Sequence, residues 1–187
     1  MKTLSEIYTA YPGSDKGSVH SYIELYEKLL RGYREVEGNV LEIGVFGGDS
    51  ILMWEEYFTR AKVWGMDLCE QPLNVKDLRP MIEVGTHNLV FGDASNPEDV
   101  AGLFGDMVFG VIIDDGCHVL EVQLKTYEVF RHLLAPGGIY IIEDIQDIDA
   151  NRGAFEQIDA RRNVSIIDNR PIKARYDDVL VVIHDAL

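Results

Sequence analysis

Basic residues are scarce in this chain. Lys and Arg number 17 against 32 Asp and Glu, a formal charge of −15 over 187 residues. Phosphate backbones are held by clustered Lys and Arg, so this deficit argues against nucleic acid as a partner. The acidity itself is expected to serve solubility. Cysteine is nearly absent. Cys69 and Cys117 show no CxxC or zinc spacing, which leaves two free thiols in a reducing compartment as the expectation. No apolar run approaches the ~18–20 residues that span a bilayer, so no membrane partner is expected. The N-terminus, MKTLSEIYTAY, lacks the apolar core and cleavage pattern of a secretory signal, and a cytoplasmic protein is expected. The GxGxxG fingerprint is also missing, which counts against a nicotinamide-dependent oxidoreductase.

What is present is an alternation. Apolar, β-rich runs at 39–45, 62–67, 88–92, 107–114 and 138–143 read as strands covered on both faces. Helical patterns occupy 49–59, 95–104 and 119–134, with Ser95-Asn96-Pro97 as a helix start. A further helix is expected near 150–160 and two more strands at 163–168 and 178–184, joined by the polar turn RPIKARYDD. Before the first strand, Tyr22, Leu25, Tyr26, Leu29 and Tyr33 share a helix face, read as core packing rather than as a lid. The order βαβαβ calls for a parallel sheet with right-handed crossovers, in a single domain. Ligands of such sheets bind beyond the carboxyl ends of the strands.

The strand ends carry the chemistry. The first closes in EIGVFGGDS, where Gly44, Gly47 and Gly48 turn into a helix. Glycine there lets backbone approach a ligand, yet a tight strand–helix turn needs glycine too. The second ends in Asp67, roughly twenty residues past that turn, where an acidic residue commonly holds ribose hydroxyls. The third ends in Asp93 of GDAS, an acceptor for an adenine amino group or a cap for the next helix. The fourth runs into Asp114-Asp115-Gly116-Cys117-His118 and the fifth into Glu143-Asp144.

If those two strands are neighbours, Asp115, Glu143 and Asp144 meet on one rim. Carboxylates so placed resist ionising together, and a divalent cation relieves the conflict. Carboxylate donors suit Mg²⁺ or a similar hard ion. Successive residues point to opposite faces, so Asp114 and Asp115 are expected to do different jobs, one toward the cofactor and one toward the metal. His118 beside that rim is the candidate general base.

Together EIGVFGGDS, Asp67, GDAS and the APGGIYIIED segment resemble class I S-adenosylmethionine (SAM) methyltransferases. IDDGCH followed by YIIED resembles, more narrowly, the metal-dependent sugar O-methyltransferases of macrolide biosynthesis, of the macrocin and mycinamicin type. The segment SDKGSVHSYIELYE at 14–27 also looks like part of those enzymes, lying there near the cofactor. The likeness spans roughly residues 14 to 145, with Cys117 where the family carries serine.

The resemblance implies a Rossmann-like, seven-stranded, mostly parallel α/β sheet with helices on both faces and an antiparallel last strand. It implies one domain over 1–187, with a helical segment at 1–36 and the Rossmann-like core at 37–187. It implies SAM, with SAH as product, held by Glu42, Gly44, Gly47, Gly48 and Ser50 at the methionine end, Asp67 at the ribose, and Asp93 and Ala94 at the adenine, with Asp114 facing the cofactor. It implies Mg²⁺ on Asp115, Glu143 and Asp144, with His118 as the base on a hydroxyl of a small acceptor. This length leaves no room for the auxiliary domain of the macrolide enzymes, so an open acceptor face and self-association are expected and the sugar substrate does not transfer. The reading from another class is a SAM-binding protein that regulates or binds without methylating.

Overall fold

The computed structural model describes residues 1–68 and 87–185; Cys69 lies outside them. Seven strands form one sheet: β1 (Gly38–Ile43), β2 (Ala61–Asp67), β3 (Asn88–Phe91), β4 (Phe109–Asp114), β5 (Leu134–Ile142), β6 (Arg162–Asp168) and β7 (Val179–Asp185). Their order is β3-β2-β1-β4-β5-β7-β6. All pairings are parallel except those of β7, which is antiparallel to both β5 and β6. Strand order therefore reverses between β1 and β4, where a crevice opens beyond the strand ends. The architecture is the Rossmann-like methyltransferase fold expected from the resemblance.

Alternation along the strands divides the core in two. Val40, Val111, Ile113, Ile139 and Ile141 face α1 (Leu4–Tyr8), α3 (Ile23–Leu30) and α4 (Asp49–Tyr57). Leu41, Ile112, Tyr140 and Ile142 face α5 (Pro97–Phe104), α6 (Leu120–Phe130) and α7 (Ile148–Glu156). A one-turn α2 (Asp15–Ser18) sits between α1 and α3. Tyr22 and Tyr26 of the predicted stripe are fully buried in the first core.

Three element boundaries differ from the sequence expectation. The helix expected over 119–134 stops at Phe130, because Leu134 pairs with Phe109 as the first residue of β5. Between that pair and Val111↔Ile139 the register shifts, and Gly137 takes φ 73° in the irregularity. The turn expected at RPIKARYDD holds a short helix, α8 (Arg170–Lys173). His118, expected at the start of a helix, lies outside α6, one residue before its extended N-cap Val119. Among the described residues no helix is long and apolar enough to cross a membrane.

Candidate active site at the strand ends

A cleft of about 750 Å³ opens at the reversal point. That volume suits a ligand of nucleoside size. Its wall includes Gly44, Gly47, Gly48, Ser50, Asp67, Asp93, Ala94, Asp114, Asp115, Cys117 and His118, together with Lys16 from α2.

The glycines of the turn do different things. Gly44 has φ 86°, and a Cβ on it would lie 2.1 Å from the Asp115 carbonyl oxygen. It is glycine because the ends of β1 and β4 touch there. Gly48 has φ 87° and caps α4. Gly47 borders open space, so its backbone is the part of the turn a ligand can approach. Asp67 lines the cleft while bracing the same turn: its Oδ2 accepts from the Val45 and Phe46 N–H groups at 2.8 and 3.2 Å.

Two of the residues expected at the cofactor also serve the fold. Asp93 does not cap α5; its Oδ1 accepts from the Ser95 N–H at 2.8 Å, and Asn96 supplies the cap. Glu42 is wholly buried and does not line the cleft. It lies on the α4 face of β1, accepting from Ser50 Oγ at 2.6 Å and Trp54 Nε1 at 3.1 Å.

The sheet places the acidic pair as alternation requires. Asp114 follows Ile112 onto the α6 face, where the Tyr140 hydroxyl donates to it at 2.9 Å. Burial pushes its carboxyl up to about 7, against the lowering pull of that hydrogen bond. Asp115 turns to the opposite face. Its N–H donates to the Ile43 carbonyl at 2.8 Å, and the Glu143 N–H donates to the Asp114 carbonyl at 2.9 Å. These two bonds extend the ladders by one residue and hold Asp115 and Glu143 level with each other. Gln123 of α6 steadies the same spot by donating to the Glu143 carbonyl at 3.0 Å.

The three carboxylates expected to share a metal do meet at this end, but they face two ways. Asp115 Oδ2 and Glu143 Oε1 both contact the Lys16 ammonium, at 2.6 and 2.7 Å. Tyr26 donates to the same Glu143 oxygen at 2.5 Å. Asp144 breaks the strand alternation with φ 55° and points elsewhere. Its Oδ1 accepts from Tyr22 at 2.8 Å and lies 3.3 Å from His20 Nδ1. The remaining oxygens of Asp115 and Asp144 turn to His118, at 3.4 Å from its Nε2 and 3.8 Å from its Nδ1 respectively.

Charge follows this geometry. Burial alone would depress the Lys16 ammonium, but Asp115, Glu143 and Glu42 around it raise its pKa well above the usual lysine value. Asp115 is only half-buried, and the lysine beside it holds its pKa below the usual range. Burial and the Asp115 charge raise Glu143 well above it. Burial, then the Asp115 charge, lift Asp144 to about 6. The adjacent Asp115 carboxylate raises His118.

Side chains of Asp115, His118 and Asp144 bring ligand atoms within 4.8 Å of one another, and so do those of Glu42, Asp115 and Glu143. His118 Nε2 is buried without a hydrogen-bond partner. An oxygen-rich cluster beside a buried nitrogen with no hydrogen-bond partner fits a hard divalent cation.

Sequence reasoning missed Lys16, Tyr22, Tyr26 and Asp178. All but Asp178 come from the N-terminal segment, far along the chain from the strand ends. The available signals were the polar stretch around His20 and the likeness of 14–27 to a segment that lies near the cofactor in the resembled enzymes. His20 is 1% exposed, stacks on Tyr22 at 4.8 Å between ring centroids, and lies 3.7 Å from Asp178 Oδ1.

No protein-family model matches the chain. It is 33% identical over 150 residues to the demethylmacrocin O-methyltransferase of Streptomyces fradiae, covering 76% of this chain and 36% of that protein. It is 31% identical over 167 residues to the 8-demethyl-8-alpha-L-rhamnosyl tetracenomycin-C 2'-O-methyltransferase of Streptomyces olivaceus, covering 83% and 41%. It is 33% identical over 150 residues to the mycinamicin VI 2''-O-methyltransferase of Micromonospora griseorubida, covering 76% and 36%. In structure it is similar to the MycE methyltransferase of mycinamycin biosynthesis in complex with Mg and SAH, with TM-score 0.75 and 22% identity, covering 99% of this chain and 55% of that one. At that identity the likeness shows the fold. The chain spans less than half the length of these curated relatives.

Proposed function

The chain is a class I SAM-methyltransferase-fold protein related to the macrocin- and mycinamicin-type sugar O-methyltransferases, and from that premise we propose that it methylates a hydroxyl of a small molecule, such as a sugar or polyol unit of a natural product, using SAM and a divalent cation such as Mg²⁺. The observation that carries the proposal is the convergence of Asp115, Asp144 and His118 at the β4 and β5 ends beside the cleft.

When bound, SAM supplies an electrophilic sulfonium methyl and the cation supplies charge that lowers the pKa of a nearby hydroxyl. The Gly47 backbone and the first turn of α4 would bind the methionine end, with Ser50 and buried Glu42 supporting the turn from behind. Asp67 would hold the ribose, and Asp93 with Ala94 the adenine end. Asp114, held by Tyr140 on the cleft wall, would face the cofactor. The carboxylates of Asp115, Glu143 and Asp144 would hold the cation near the acceptor. His118 would take the hydroxyl proton as the oxygen attacks. Alignment and deprotonation are the tasks left to the protein, because the methyl donor is already reactive.

Calorimetry with SAM followed by an acceptor screen tests this. SAM binding with methyl transfer to a sugar, polyol or catechol is the expected result. Binding with no transfer to any of them would favour a SAM-binding regulatory protein instead.

A further inference from the structure

Ser14 has no part in the scheme above, yet it lines the cleft and is only 6% exposed. It stands at the N-cap of α2, where a serine usually turns its oxygen back onto the helix, and it makes no such bond. Its Oγ is buried with no hydrogen-bond partner among the described residues. Its backbone is held in place, because the Tyr8 and Ser18 hydroxyls donate to its carbonyl at 3.2 and 3.3 Å. A fixed, buried hydroxyl with its bonds unmade suits a group that arrives with a ligand.

The first turn of α4 borders the same cleft through Asp49 and Ser50. That helix has no side-chain cap, with Gly48 at its N-cap, so its leading N–H groups are open to an acceptor. Two bonds seat the Ser14 segment on it. The Gly13 N–H donates to Asp49 Oδ1 at 3.1 Å, and the Tyr11 hydroxyl donates to Glu56 Oε2 at 3.1 Å. The approach is close, since a Cβ on Gly13 would lie 2.6 Å from Asp49 Oδ2. This corner of the cleft therefore joins anion donors to an acid. The acid repels a lone anion such as a pyrophosphate. A zwitterion fits both, its carboxylate on the N–H groups and its ammonium on the acid.

We propose that Ser14 and Asp49 recognise the amino-acid end of the cofactor. The Ser14 hydroxyl donates to its carboxylate beside the α4 N–H groups, and Asp49 accepts from its ammonium. Gly13 keeps the two side chains together. The proposal rests on the SAM reading above and deepens it, adding a wall from the N-terminal segment to the turn at Gly47. Affinity for the amino-acid half then becomes separable from affinity for the nucleoside half, which falls to Asp67, Asp93 and Ala94.

Calorimetry with two ligands tests this without reference to turnover. SAH carries the amino-acid end, whereas 5′-methylthioadenosine keeps the nucleoside and the thioether and lacks that end. The unaltered chain is expected to bind both, SAH the more tightly. Ser14→Ala and Asp49→Asn should each weaken SAH by about tenfold and leave 5′-methylthioadenosine within about threefold. Gly13→Ala, which pushes the segment off Asp49, should show the same selective loss. Unchanged SAH affinity in Ser14→Ala or in Asp49→Asn would overturn the proposal. So would equal losses for the two ligands, or equal affinities in the unaltered chain. Binding of neither ligand by the unaltered chain would overturn the SAM reading itself, and the proposal with it.

Discussion

The Tyr22 hydroxyl donates to Asp144 Oδ1 at 2.8 Å, tying the N-terminal segment to the end of the fifth strand. Asp144 stands in a left-handed backbone conformation with φ 55°, which few residues adopt without support. Tyr22 supplies part of that support. Tyr22→Phe should destabilise the protein by about 1–3 kcal/mol, because a buried carboxylate loses its donor. Urea unfolding of the two proteins measures this.

His118 should matter for turnover and little for cofactor affinity. His118→Ala is expected to lower the methyl-transfer rate by roughly 10²–10⁴, the range for removing a general base. Calorimetric affinity for SAM should stay within about threefold. A parallel loss in both would assign His118 to cofactor binding instead.

Activity should rise with pH through the neutral range. The base must be unprotonated, and Asp115 raises the His118 pKa above its usual value. Asp144, pushed up to about 6, takes a proton below that pH and loses its hold on a cation. The acid limb of the kcat/KM profile should therefore combine both groups. His118→Ala should remove the upper part of it, while Mn²⁺ affinity still falls below pH 6.

Asp114 offers a stability test free of catalysis. Its folded pKa, about 7, lies above the unfolded carboxylate value, so between them the folded protein keeps a proton that the unfolded chain releases. Its contribution to stability falls as pH rises from about 4 to 7 and stays low above. Asp114→Asn keeps an acceptor for Tyr140 and removes that dependence. It should gain about 2–4 kcal/mol at pH 8 and almost nothing near pH 4, read from unfolding curves at each pH.

Much of this site was legible in the chain because strand periodicity is strict. Knowing that β4 ends at Asp114-Asp115 and β5 at Glu143-Asp144 is enough to send Asp114 to one face and Asp115 with Glu143 to the other. Asp144 escaped that logic because its φ leaves the strand region, which no alternation rule foresees. The apolar stripe of Tyr22 and Tyr26 correctly read as core. Their hydroxyls, which reach Asp144 and Glu143, are set by a tertiary packing invisible to periodicity. Lys16 was hidden for the same reason, lying 99 residues from its partner Asp115. Of the two roles open to Asp93, the helix cap falls instead to Asn96, which is one residue before Pro97 and better placed for the Glu98 N–H. The early end of α6 reflects competition for Leu134, which the strand pairing with Phe109 wins.

The central claim is methyl transfer to a hydroxyl that depends on a divalent cation at the β4–β5 rim. Its most direct test follows labelled methyl from SAM to an acceptor found by the screen, with Mg²⁺ present and then with excess EDTA. Transfer that EDTA abolishes and added Mg²⁺ restores, with SAM still bound throughout, is the expected result. Undiminished transfer in EDTA would contradict it.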